Sequence, residues 1–142
     1  MRIMAIDYGD ARTGIAISDP TGFLAGFTTT IHQRDMAKVV EEIHRLAGEY
    51  QVEELVLGYP KNMNDSLGER AQKSRTLEEA LKTAIGLPVI LWDERRTTVD
   101  ADRILVGQGV RGKKKKAKID AVAAALILEG YLSYRQIQKG NQ

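Results

Sequence analysis

Three carboxylates in this 142-residue chain stand where apolar segments end or begin. Asp7 follows the run Ile3 to Ile6, Glu94 lies just past Val89 to Trp92, and Asp120 opens the alanine-rich stretch Ala121 to Leu128. Burying an unpaired carboxylate costs on the order of several kcal/mol unless a cation or hydrogen bonds compensate. Carboxylates within roughly 4 to 6 Å also raise one another's pKa, so a converging trio needs a counterion to stay ionised. Divalent cations meet that need, and a pair of them about 3.5 to 4 Å apart is a known arrangement for in-line phosphodiester cleavage. Asp7, Glu94 and Asp120 are therefore the candidate metal ligands and catalytic residues. Each has a plainer local role: Asp7 could cap a hairpin turn, Glu94 could sit in a polar loop with surface ion pairs, and Asp120 could favour its helix dipole by about 0.3 to 1 kcal/mol. Asp93 and Glu94 point to opposite faces of an alternating strand. Glu94 is the candidate, but which of the two faces the crevice stays open at this point.

The available donors narrow the metal. Cysteine is absent and histidine occurs only as His32 and His44, which starves any Cys/His zinc site and excludes a thiolate nucleophile. Both histidines read as surface residues. Oxygen ligands suit magnesium or manganese, as one ion or two. Net charge is +2, yet Arg111 to Lys118 holds six basic residues and no acid, which marks a polyanion as partner. Arg12, Lys61, Asn62, Arg95, Lys113, Lys114, Lys115 and Lys116 are candidate phosphate contacts around the acids, and Thr97 and Thr98 join them at the rim. With aromatic residues at 6% and unclustered in sequence, no extended base-stacking platform is expected.

The elements that must position these groups follow from periodicity and turn chemistry. Arg2 to Ile6 reads as a central strand, Thr13 to Ser18 as its hairpin partner, and Ala25 to Ile31 as a third strand after the turn Asp19-Pro20-Thr21-Gly22. Asp35 caps a helix whose stripe runs through Met36, Val39, Val40, Ile43, Leu46, Ala47 and Tyr50. Glu54 to Gly58 is a short buried strand. Ser66 and Glu69 form a capping box for a helix reaching Gly86, and Pro88 to Trp92 is a fifth strand. Thr97 or Thr98 caps a short helix through Leu105, Gly107 to Lys118 reads as a mobile basic loop, and Ile119 to Leu132 is the last helix. From Ser133 onward a fraying tail is expected. The order predicts an α/β fold with a five-stranded mixed sheet, a hairpin meander plus two parallel strands, and helices on both faces. Parallel strands present their carboxyl ends to one crevice, where Glu94 can approach Asp7.

Length and composition, 43% hydrophobic and 28% charged, fit a single domain over residues 1–142, with 133–142 as its tail. No apolar stretch nears the roughly 18 residues of a membrane span, and Met1-Arg2-Ile3-Met4 lacks a signal-peptide h-region. A cytoplasmic location without membrane contact is expected.

Taken together, Asp7-x-Gly9-x-x-Arg12-x-Gly14, Gly58-Tyr59-Pro60-Lys61-Asn62, Asp93-Glu94-Arg95-x-Thr97-Thr98 and Ile119-Asp120-x-x-Ala123-Ala124, with Leu128 and Tyr131-Leu132, resemble the YqgF family. That family is also called RuvX-like and belongs to the ribonuclease H-like superfamily. The resemblance spans about Met1 to Leu132. It implies a ribonuclease H-like fold and a divalent-metal nuclease site, with Asp7 as the first-strand acid, Glu94 the middle acid and Asp120 the helix acid. It also implies a role, since such proteins are regarded in bacteria as nucleases maturing the 5′ end of the 16S ribosomal RNA precursor, with Holliday junction resolution the older proposal. Tyr59 and Asp65 depart from the residues common in the family, Leu and Gly, which bears on the rim loop and not on the acids. Pre-rRNA and branched DNA are thus both expected partners, and a homodimer would suit the second. Two other classes compete: a nonenzymatic RNA-binding assembly factor that uses only the lysines, and the ATP-binding sugar kinase and actin group, which closes two such domains over a nucleotide.

Overall fold

The computed structural model describes residues 1–22, 25–59, 68–93 and 112–140, with the side chains of 70, 112–120, 139 and 140 left out. Five strands form one sheet: β1 (Arg2–Asp7), β2 (Thr13–Ser18), β3 (Ala25–Ile31), β4 (Val52–Tyr59) and β5 (Val89–Asp93), in the order β3-β2-β1-β4-β5. The β1–β2 and β2–β3 pairs are antiparallel, while β4 runs parallel to both β1 and β5. Helices α1 (Met36–Glu49), α2 (Glu69–Ile85) and α3 (Gly112–Gly140) complete the described elements. This is the mixed sheet that the sequence predicts.

Strand β1 sits in the middle because both of its faces are apolar. Met4 and Ile6 enter the core under α1 and α2, whereas Ile3 and Ala5 enter a second core under α3. The α1 stripe is set by its cap: Asp35 Oδ1 accepts from the Ala37 N–H at 2.9 Å, and Val39, Val40, Ile43, Leu46 and Ala47 are buried. At the end of α2, Gly86 takes the left-handed conformation at φ 78°, and its N–H donates to the Lys82 carbonyl at 3.1 Å. Connecting β1 to β2 demands a glycine at position 9, since a Cβ there would lie 2.4 Å from the Arg12 carbonyl oxygen.

Three boundaries differ from the sequence-based expectation. Helix α2 starts at Glu69 with Gly68 as N-cap and no side-chain cap bond, so it begins later than a Ser66 capping box would place it. Ser66 itself lies outside the described residues. The basic run Lys113 to Lys118 is the first part of α3 and not a loop. Lysine and alanine are strong helix formers, and like charges along a helix cost only tenths of a kcal/mol, roughly, per pair. Ser133 to Gly140 likewise continues α3, where a tail is expected, because Arg135, Gln136, Gln138 and Lys139 favour helix without needing a buried face. The short helix expected after Thr97 or Thr98 lies outside the described residues. Among the described residues, no helix is long and apolar enough to cross a membrane.

Candidate active site

Asp7 is the last residue of β1, paired with Gly14 of β2, and only 7% exposed. Its face is fixed by alternation. Ile3 and Ala5 point into the α3 core, so Asp7, on the same parity, stands on the α3 face of the sheet. The neighbouring Met4, Ile6 and Tyr8 belong to the other core.

Because β1, β4 and β5 are parallel, their carboxyl ends reach one edge. Leu57 is level with Ile6, Gly58 with Trp92 and Tyr59 with Asp93. Gly58 shares the parity of Val56, which packs under α3, so no side chain rises from β4 between Asp7 and the end of β5. Two strand spacings, about 10 Å, separate β1 from β5 across this bare position. Asp93 has the parity of Val89 and Leu91, which pack against the α1/α2 core, and so belongs to the face opposite Asp7. Glu94, the residue after it, lies outside the described residues.

Helix α3 packs across β1, β2 and β3. Ala123 and Ala124 are 2% and 0% exposed, and Ile127 is fully buried. Asp120 occupies a helical position three and four residues before those alanines, one turn earlier on the same stripe. Its side chain lies outside the described residues. Alanines on the helix meet Ala5 and Ala16 on the sheet, which lets the two backbones approach closely.

Of the candidate phosphate contacts, Arg12 is in the β1–β2 turn. Lys113, Lys114, Lys115 and Lys116 lie on the first turns of α3, preceding Asp120, with undescribed side chains. Lys61, Asn62, Arg95, Thr97 and Thr98 lie outside the described residues. Among those that are described, no three acids or histidines converge to hold an ion. What the structure does test is the donor chemistry, and here it fits a hard cation: a nearly buried carboxylate stands at the sheet edge with the Asp120 position on the same side.

Lys73 was not visible as a site residue in the sequence. On the α2 side of the β1–β2 turn is a cleft of about 530 Å³, lined by Tyr8 to Arg12 together with Glu69 and Lys73. Lys73 Nζ donates to Asp10 Oδ1 at 2.8 Å and lies 3.4 Å from Glu69 Oε1. The Asp10 hydrogen bond is the main reason that the Lys73 ammonium is held above its ordinary pKa. Burial pushes the Tyr8 phenol up, with Lys73 partly opposing. The Glu69/Lys73 spacing of four was legible as a helix pair; the approach of Asp10 across 63 positions was not.

Two further contacts brace the rim. Arg75 Nε donates to the Tyr59 hydroxyl at 3.2 Å, with its guanidinium 5.6 Å from the ring centroid, which ties α2 to the end of β4. Trp92 faces Gly130 of α3, where an added Cβ would come within 3.4 Å of the indole ring, and it meets Tyr131 and Tyr134 edge-on, with ring centroids 5.9 and 5.8 Å away. Tyr131 and Tyr134 are neighbours on one helix, and the fold brings Trp92 to them from β5.

The chain matches the family model described as RuvX, Holliday junction resolvase, over residues 1–134. It belongs to the RuvX family. Similar proteins include one from Halothermothrix orenii, 47% identical over 135 residues and covering 95% of this chain and 96% of the relative. Another, from Listeria innocua, is 46% identical over 134 residues, with 93% and 97% covered. Both carry the name "Putative pre-16S rRNA nuclease". The fold is similar to that of Thermus thermophilus RuvC in complex with a Holliday junction substrate, at a TM-score of 0.63, 12% identity and 96% coverage of each chain. It is also similar to the fowlpox virus Holliday junction resolvase, at a TM-score of 0.56, 14% identity and coverage of 94% and 99%. The YqgF motifs of the sequence and the RuvX family are thus one assignment, on a ribonuclease H-like fold. As a RuvX family member the chain is a nuclease, a hydrolase of phosphodiester bonds.

Proposed function

We propose that this RuvX family nuclease is a divalent-metal-dependent endonuclease that processes the 5′ end of pre-16S ribosomal RNA in the cytoplasm. The observation that carries the reading is Asp7: a nearly buried carboxylate at the end of the central strand, on the face covered by the helix that bears Asp120. The RNA substrate is inferred from the names of relatives that match almost the whole chain.

Asp7, Glu94 and Asp120 would hold one or two magnesium or manganese ions. Strand alternation favours Glu94 over Asp93 as the middle ligand, since Asp93 has the parity of the opposite face. When bound, such a cation supplies charge stabilisation for phosphodiester hydrolysis at neutral pH. The rest falls to the protein. Arg12 can clamp a phosphate in bidentate fashion, Arg95, Lys61 and Asn62 can line the rim, and Thr97 and Thr98 can donate to phosphate oxygens. Lys113 to Lys116, placed on α3 ahead of Asp120, supply sequence-independent attraction for the strand. Gly58 leaves clearance for a nucleic-acid backbone between β1 and β5.

Purified protein with magnesium or manganese should cut a precursor RNA carrying the 16S 5′ leader, and the Asp7→Asn variant should not. Equal cutting by both proteins rejects the reading. A second reading, cleavage of four-way DNA junctions, is favoured by the family description and needs a dimer able to cut two strands symmetrically. Side-by-side digestion of junction DNA and precursor RNA separates the two.

A further inference from the structure

We propose that the cleft between the β1–β2 turn and α2 is a phosphate subsite for the bound strand, with Lys73 as a substrate-binding residue released from Asp10. The inference rests on the nuclease reading above and adds a second contact surface, on the other side of the turn that follows Asp7.

Placement is the first argument. The cleft is walled by Tyr8 to Arg12, the turn that immediately follows Asp7, so a strand lying in it follows the turn at whose start Asp7 stands on the opposite face of the sheet. Its volume, about 530 Å³, suits a sugar-phosphate unit. Two cations line it from different elements, Arg12 from the turn and Lys73 from the first turns of α2. Tyr8 adds a phenol hydroxyl to the lining, a group able to donate to a phosphate oxygen.

Charge balance explains why Lys73 must change partners. Asp10 and Glu69 offset Arg12 and Lys73, so the cleft as it stands has little net attraction for an anion. The bridge that holds Lys73 is weakly held, however, because the side chains of Lys73 and Asp10 are 39% and 74% exposed. Exposed ion pairs of this kind contribute little to stability and exchange readily. A phosphate entering beside Arg12 offers the ammonium an equivalent acceptor and gains the guanidinium as well. Asp10 then swings to solvent, where its exposure already places it.

The test is binding of a 5′-labelled RNA hairpin with a single-stranded 5′ extension, followed by anisotropy in EDTA over a salt series so that no strand is cut. Lys73→Ala should weaken binding about three- to tenfold and lower the slope of log affinity against log salt by about 0.7 to 0.9, the share of one phosphate contact. Lys73→Arg should restore both. Asp10→Asn should tighten binding by about two- to fivefold, and should do so only while Lys73 is present, a coupling that the double variant reads. If the bridge were merely a structural latch, Lys73→Ala and Asp10→Asn would break the same contact and weaken binding alike, which would overturn the proposal. Wild-type binding that Lys73→Ala leaves unchanged in strength and slope sinks the subsite alone. No binding by the unaltered chain also sinks the subsite, while the nuclease reading fails separately, by equal cutting of precursor RNA by wild type and Asp7→Asn in magnesium or manganese.

Discussion

The two faces of the sheet are built to different specifications. Under α1 and α2 the core consists of large aliphatic side chains, among them Ile6, Ile17, Ile43, Leu57, Leu77 and Leu81, none more than 1% exposed. Under α3 the sheet offers Ala5, Ala16 and Val56 beside Ile3, and the helix answers with Ala124 first and then with Ile127, Leu128, Tyr131 and Leu132, so the small residues gather toward the Asp120 end of the helix. Large interdigitating groups hold helices at ordinary packing distance and bury the most apolar area, whereas facing alanines draw the helix backbone close. Along β1 the contrast sharpens at the carboxyl end: one face closes with Tyr8 in the aliphatic core, the other with the Asp7 carboxylate. One face chiefly stabilises the fold. The other carries the Asp7 carboxylate and is covered by the helix that bears Asp120.

If that division holds, Asp7→Asn and a large-to-small change on the opposite face should fail in different ways. Asp7→Asn should lower cleavage on the order of 10³-fold or more while the urea midpoint stays constant or rises, because a neutral amide of the same shape is less costly to bury than a carboxylate. Leu57→Ala should cost about 2 to 5 kcal/mol in urea unfolding, and cleavage per folded molecule should be retained. Loss of stability in the first variant and of specific activity in the second would erase the distinction.

A finer probe is the alanine seam. Ala124→Leu inserts bulk where helix and sheet meet, and should cost about 1 to 3 kcal/mol through overpacking. Cleavage should fall by more than the folded fraction does, since α3 carries Asp120. A drop in activity that matches the folded fraction would mean that close approach of α3 is not needed for the site.

The smallest expected effect lies at the far end of the same seam, where the Tyr131 hydroxyl donates to a Glu54 carboxylate oxygen. Tyr131→Phe should cost about 1 to 2 kcal/mol by removing a bond to a charged acceptor. Burial, then the Glu54 bond, push the Tyr131 phenol well above its ordinary range, so the unfolded chain ionises this group first as pH rises. Its stabilising contribution is complete below about pH 10 and is lost as pH climbs beyond that toward the folded value. Urea titrations from neutral pH upward should show a shallower alkaline decline for Tyr131→Phe than for wild type, with Tyr8 contributing equally to both.

Much of this was legible in the residues. Alternation in Arg2 to Ile6, the Asp35 cap and the turn glycines predicted the order and direction of the strands, because burial on both faces and tight reversals leave few residue choices. Asp7 was legible for the same reason, as a charge set at the end of an apolar run. The start of α3 differs from the sequence-based expectation since a lysine run beside glycines says charge, and charge alone does not distinguish a solvated loop from a solvated helix. Lys73 was hidden because its partner Asp10 is a tertiary neighbour, and the trio Trp92, Tyr131 and Tyr134 for the same reason. Glu94 and the rim residues Lys61, Asn62, Arg95, Thr97 and Thr98 remain proposals from sequence.

The central claim, that Asp7, Glu94 and Asp120 gather around hard cations, is tested most directly by anomalous diffraction from crystals soaked in manganese. The account predicts one or two manganese peaks bound by oxygens of Asp7, Glu94 and Asp120, at about 2.0 to 2.2 Å for ions of this class, and loss of the peaks in Asp7→Asn. Manganese bound elsewhere, with Glu94 and Asp120 both remote from Asp7, would contradict it.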